Sequence, residues 1–135
     1  MWERKQPNAF MEHNFVELKE IRPDRAVCVL RIRPESRNPY GLAHGGAIYT
    51  IADDVAGLAA HTDGRSYVTQ DSTMHFLANR TEGLLTGVGE VRHRGRHSCL
   101  VEVSVTAEDG ALLAAGSFLY FCVDATVRKV PELEG

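Results

Sequence analysis

The chain has 135 residues, 44% of them apolar and 24% charged, with a formal net charge of -3, which suits one soluble globular domain with a full hydrophobic core. The slightly acidic balance argues against a general nucleic-acid binder. No apolar run is long enough to span a membrane, and Met1-Trp-Glu-Arg-Lys is not followed by one that would make a signal peptide.

In chain order, the pattern is one helix among strands. Residues 10–20 carry a mixed pattern that reads as a first strand, with room for a short helix before it. Residues 25–33 are a clearer strand, apolar inside and flanked by arginines. Asn38-Pro-Tyr-Gly41 is a loop of turn formers. From Gly45 to about Ala60, the apolar residues Ile48, Ile51, Ala52, Val55, Leu58 and Ala59 recur at helical spacing. Thr62-Asp-Gly-Arg ends that helix with turn residues. Strand patterns follow at residues 67–77, 84–93, 97–107 and 112–123, with hairpin turns at Arg94-Gly95-Arg96 and Glu108-Asp109-Gly110. One long helix across the concave face of a curved antiparallel sheet of about five or six strands is an α+β design, and residues 1–135 read as a single domain.

Cys28, Cys99 and Cys122 are odd in number, widely spaced and set in apolar strand-like runs. They read as buried free thiols, which fits a reducing cytoplasm better than a disulfide framework. The histidines are scattered, with His93 and His97 flanking a turn, and no metal-binding spacing occurs. There is neither a phosphate loop nor a Gly-x-Ser-x-Gly elbow.

The chemistry gathers in the run from Asn38 through His44-Gly45-Gly46 to Asp53. Two glycines at a helix start either expose backbone N–H groups to a developing negative charge or allow tight helix packing. His44 either caps the turn or touches substrate. Asn38 either forms the turn or orients a water or carbonyl. Asp53 and Asp54 interrupt an apolar helix, where an acid is costly unless exposed or used; one is expected to face solvent and the other a cleft. They point about 100° apart, so little coupling is expected. Asp53 lies eight residues after Gly45, about 12 Å along a helix. Reacting atoms need about 3–3.5 Å. The two groups can therefore share a site only when a second, antiparallel copy of the helix lies alongside, in a symmetric dimer. The basic turn at residues 92–97 reads either as a phosphate grip or as solvated hairpin charge.

The string Asn38-x-x-Gly-x-x-His44-Gly45-Gly46 followed by Ala52-Asp53 resembles the hotdog-fold acyl-CoA thioesterases of the PaaI-type branch of the 4-hydroxybenzoyl-CoA thioesterase superfamily. Val68-Thr69-Gln-Asp71, Phe76-Leu77, residues 89–96 and Asp109-Gly110 extend the resemblance over residues 14–123. It implies a hotdog fold and hydrolysis of acyl-CoA thioesters. It selects Asp53 over Asp54 as general base or nucleophile, with the Gly45 N–H polarising the thioester carbonyl from the neighbouring subunit. Asn38 would hold the carbonyl or the water, His44 would shape the turn, and Thr69 would assist the water. Gly46, Leu42 and Tyr49 would meet substrate, with Val55 and Leu58 also in the acyl pocket, and Arg94 and Arg96 would contact CoA. It further implies a cytoplasmic enzyme without cofactor, metal, nucleic-acid or membrane partner, in which a homodimer is the minimal unit and a dimer of dimers the assembly. The chain departs from the family at Leu77-Ala-Asn79-Arg80 and at Asp54. A non-catalytic acyl-CoA sensor and a hydroxyacyl-thioester dehydratase are the alternatives.

Overall fold

The computed structural model describes residues 8–128; the leader expectation for residues 1–5 falls outside them. The elements are α1 (Ala9–His13), β1 (Val16–Arg22), β2 (Arg25–Arg31), α2 (Gly45–Ala60), β3 (Ser66–Phe76), β4 (Leu84–Arg94), β5 (Ser98–Thr106) and β6 (Leu112–Asp124). Single 3-10 turns occupy Pro34–Ser36 and His61–Asp63. The strands form one antiparallel sheet in the order β1-β2-β4-β5-β6-β3. Among the described residues, no helix is long and apolar enough to cross a membrane.

The sequence periodicities explain the layering. In β5 the side chains of Cys99, Val101, Val103 and Val105 alternate inward, as a sheet with one covered face requires. Along α2 the stripe Ile48, Ile51, Ala52, Val55, Ala56 and Ala59 is fully or almost fully buried, and the helix lies chiefly on β4, β2 and β5. All three cysteines are free, with Cys28 and Cys99 buried and Cys122 half-buried. The hairpin turn before β6 closes through Gly110, whose φ of 87° is a left-handed conformation that favours glycine.

Two glycines in β4 set how close the helix comes. A Cβ at Gly89 would lie 2.6 Å from the Val55 carbonyl oxygen, and one at Gly87 2.9 Å from Ile51 Cγ1. Any larger residue would lift α2 off the sheet.

The far end of α2 is held by Arg94. Its Nη1 donates to the Ala60 carbonyl at 2.9 Å and its Nη2 to the Ala59 carbonyl at 3.2 Å. The same guanidinium pairs with Asp24 and Asp63, each at 2.9 Å. It thereby satisfies carbonyls that a helix end leaves orphaned and puts positive charge at the negative pole. His61 continues the cap: its Nε2 accepts from the Tyr67 N–H at 3.3 Å, so Nδ1–H donates to the Gly57 carbonyl at 2.7 Å.

Gly89→Ala is expected to destabilise the fold by about 1–3 kcal/mol, the usual range for overpacking. Urea unfolding checks it: the midpoint falls with an unchanged slope.

Candidate active site

The N-terminus of α2 is built by a short accounting of backbone donors. His44 is the N-cap in extended conformation. Its own N–H donates to the Ser36 carbonyl at 2.7 Å, and its carbonyl accepts from Ala47 N at 2.9 Å and Ile48 N at 3.1 Å. Its Nδ1 accepts from the Gly46 N–H at 2.8 Å, so the neutral ring carries its proton on Nε2. The capping reading of His44 is therefore the one its contacts express. What remains is the Gly45 N–H, which has no partner among the described residues and sits on an exposed residue. The two glycines thus differ: Gly46 spends its N–H on the cap, and Gly45 offers its own at the positive end of the helix.

The loop before the helix is equally determined. Asn38 Oδ1 accepts from Tyr40 N at 2.9 Å and Leu42 N at 3.1 Å, which leaves the side-chain NH2 as the group Asn38 can present. The segment after β3 braces this loop: Asn79 Nδ2 donates to the Ala43 carbonyl, and Ala43 N donates to the Arg80 carbonyl, both at 2.9 Å. Arg80 itself pairs with Asp109 at 2.9 Å. Leu42 is half-buried within the loop. Beside the glycine turn opens a cavity of about 590 Å³, bordered by Glu12, Phe15, Ser36, His44, Gly46 and Thr50.

The two aspartates act on different neighbours. Burial, then the charge of Asp53 and further down that of Asp54, drives the Tyr120 phenol on β6 upward. Burial, followed by the charge of Asp54, pushes the Cys28 thiol on β2 up to about 12. Desolvation also raises the Asp53 carboxyl above the usual aspartate range. Asp54 is affected more: its Oδ2 is shut off from solvent without a hydrogen-bond partner, and burial, then the charge of Asp53, lifts it to about 7. This corrects the expectation of little coupling. Both aspartates are half-buried, and they are coupled, because adjacent residues stay close in space even when their directions differ and a poorly solvated site transmits charge well.

The remaining candidates separate into groups. Thr69 is exposed on β3 directly opposite Tyr120, on the Asp53 side of the helix. Tyr49, one turn before Asp53, packs on the Phe118 ring at 5.5 Å, and its hydroxyl is hydrogen-bonded to Ser72. Val55 is fully buried above Gly89 and cannot line an acyl pocket; it belongs to the core. Leu58 is partly buried against that same core. Arg94 has its donors committed to the helix end and its carboxylate partners, whereas Arg96 is exposed with its carbonyl accepting from Arg65 at 3.0 Å. Ser36, Ser72 and Tyr120 shape the site although no motif marks them; they sit in ordinary turn and strand patterns, and only the packing brings them here.

The sequence profile of the Thioesterase superfamily matches residues 40–114, the stretch that contains the glycine turn and both aspartates. The chain belongs to this superfamily. It is 33% identical to the putative esterase SSO2140 of Saccharolobus solfataricus, over 73% of each chain. The structure of a hypothetical thioesterase from Streptococcus pneumoniae, solved with coenzyme A, superposes with a TM-score of 0.79 at 30% identity, covering 84% of this chain and 88% of that one. The E. coli PaaI protein superposes with a TM-score of 0.85 at 20% identity over 90% and 88% of the chains, a likeness of fold. The architecture is the hotdog fold, and thioester hydrolysis is the chemistry of the class.

The position of Asp54 has a thermodynamic consequence. The folded chain holds its proton up to about pH 7, while an unfolded chain releases it near the ordinary aspartate value. Stability is thus lost as pH rises between those values. Asp54→Asn is expected to match wild type near pH 4 and to exceed it at pH 8 by roughly 2–4 kcal/mol. Thermal unfolding across that range measures the difference.

Proposed function

We propose that the protein hydrolyses acyl-CoA thioesters to the free acid and CoA, with Asp53 as base and the Gly45 N–H as the group that receives the developing oxyanion. The observation that carries the reading is the Gly45 N–H, the one N–H in the first turn of α2 without a partner among the described residues. A donor fixed at a helix N-terminus needs no reorganisation when charge appears on the carbonyl oxygen. Asn38 adds side-chain N–H donors for the carbonyl or for water. Asp53 takes a proton from water as its oxygen attacks the thioester carbon. The tetrahedral intermediate then collapses, the C–S bond breaks, and the Asp53 carboxyl returns the proton to the departing thiolate. Desolvation already raises Asp53, which strengthens it as a base.

The active unit in this reading is a homodimer. Gly45 and Asp53 of one chain are about 12 Å apart along α2, so each site takes its donor from one subunit and its base from the other. Two features support a partner on this side. β3 is an edge strand of 11 residues, paired with β6 on one side and with no strand among the described residues on the other, an arrangement that soluble proteins seldom leave open. Along it Phe76 is 53% exposed, with its ring beside Gly45 at the start of α2. Tyr49, Ser72 and Phe76 then border the acyl group. The relative crystallised with coenzyme A supports a CoA ester as the substrate.

Asp53→Asn is expected to lower kcat on acyl-CoA thioesters by at least about 10³-fold with the dimer intact, as read by free-thiol release and light scattering; retention of most activity would remove Asp53 from the mechanism. In the wild type, kcat/KM falls on the acid side as Asp53 protonates, with its inflection above the ordinary aspartate value. Sharing across the dimer is tested by mixing. Gly45→Pro deletes the N–H at a helix position that tolerates proline, and the extended His44 before it is compatible. Each variant alone is inactive, and an equimolar re-associated mixture with Asp53→Asn recovers about one quarter of wild-type activity, since half the dimers carry one intact site. No recovery would mean that both groups act within one chain.

A further inference from the structure

Tyr120 carries a buried polar atom that the fold does not use. The residue is 3% exposed on β6. Its ring stacks on Phe118 at 6.4 Å between centroids, and Cys99 on β5 and Thr69 on β3 lie directly opposite it in the sheet register. Its hydroxyl is shut off from solvent and has no hydrogen-bond partner among the described residues. A buried hydroxyl left unpaired costs stability, and phenylalanine would fill the same volume without that cost.

The hydroxyl points at α2. A Cβ on Gly57 would lie 3.6 Å from it. Gly57 follows Asp53 by one turn, so the two positions stack on one face of the helix, with Cβ positions about 5–6 Å apart. Glycine is a poor residue for a helix interior; here it leaves no side chain of residue 57 between the hydroxyl and the turn that carries Asp53. Burial, then the charge of Asp53, holds the phenol above the ordinary tyrosine range, so the hydroxyl keeps its proton and can donate it in a hydrogen bond. Thr69 is the polar side chain on β3 that acts on it, without closing a hydrogen bond to it. Cys99 and Asp54 are the further titratable groups that it feels. The hydroxyl and the Asp53 carboxylate make no direct hydrogen bond. One water joins two such groups across about 5–6 Å, through two hydrogen bonds of about 2.8 Å each.

We infer that the Tyr120 hydroxyl holds the attacking water against the Asp53 carboxylate of its own chain. The assignment rests on the reading of Asp53 as the base. The water accepts a hydrogen bond from the Tyr120 O–H, donates one hydrogen to the Asp53 carboxylate and directs the other toward the Thr69 hydroxyl. Its remaining lone pair then faces the thioester carbon. As the new C–O bond forms, the hydrogen on the Asp53 side passes to the carboxylate as a proton, and Tyr120 keeps its own throughout. A base alone leaves the water free to turn about one hydrogen bond; a second fixed point sets the direction of attack.

The test is Tyr120→Phe, which removes one oxygen and keeps the ring. On acyl-CoA thioesters kcat is expected to fall about 10²-fold, the scale of a misplaced reacting group, with KM within about twofold. The thermal midpoint is expected to hold or rise, since no hydrogen bond of the fold is lost. Carboxyl carbon-13 NMR, with the Asp53 signal assigned by its loss in Asp53→Asn, reads the same contact without substrate. A water fixed by a hydroxyl favours the charged carboxylate. Asp53 is therefore expected to titrate at higher pH in Tyr120→Phe than in the wild type, and the acid limb of kcat/KM moves up with it. A kcat within about twofold of wild type, an unmoved Asp53 titration or a lowered thermal midpoint would overturn the inference. Should the wild type hydrolyse no thioester, the hydrolytic reading fails by itself. The titration still decides the contact: a shift in the variant supports it, and no shift overturns it.

Discussion

The rest of this structure depends on how closely one helix approaches one strand. Gly87 and Gly89 remove the side chains that would otherwise hold α2 away from β4, and the backbone of Val55 settles into the space. That contact pins the helix along its length. Its two ends are then finished by different means: Arg94 gathers the free carbonyls at one end, and His44 takes the Gly46 N–H at the other. A helix held this firmly can present one unpaired donor in a fixed direction, which a frayed or tilted helix could not.

The acids on α2 show what the same packing costs. Asp53 and Asp54 are neighbours on α2, about 100° apart, and both are half-buried. The charge of Asp53 is felt first by Tyr120 on β6, and that of Asp54 by the buried thiol on β2. Asp54 loses solvent without gaining a partner and holds its proton to about pH 7. Asp53, less buried, is raised in the same direction by the same cause. A neutral Asp54 spares Asp53 a neighbouring negative charge at moderate pH, so the pair can function although the sequence places two like charges side by side.

The arginines divide along the same lines. Most are consumed in ion pairs that tie turns and strand ends together, Arg94 among them. The turn at residues 92–97 reads in sequence as one basic patch, yet its members have different fates, because Arg94 points under the sheet end and Arg96 outward. Lys19, Arg31 and Arg33 are dispersed in the sequence and meet only because β1 and β2 pair and Arg33 follows β2 directly.

Much of the fold was legible before any coordinates. The helical spacing from Ile48 to Ala59 and the alternation in the strands carry their own periods, and turn residues such as Asp109-Gly110 mark where direction reverses; these are local properties of the chain. The glycine turn, His44 and Asp53 were legible for the same reason, as residues at fixed offsets along one helix. Other features came only from the tertiary structure. It decided that Gly45 rather than Gly46 has the unpaired N–H, because the ring orientation of His44 allots the first donor. It moved Val55 from substrate pocket to core, because Gly89 lies beneath it. It showed one carboxylate oxygen of Asp54 to be shut off from solvent and the group coupled to Asp53, and Arg94 to be a helix cap. Each of these depends on which strand lies against which helix face, and that is settled by packing between residues distant in the chain. Sequence alone determined the elements and the chemical groups; the meeting of those groups across the sheet decided which of them stay free to act.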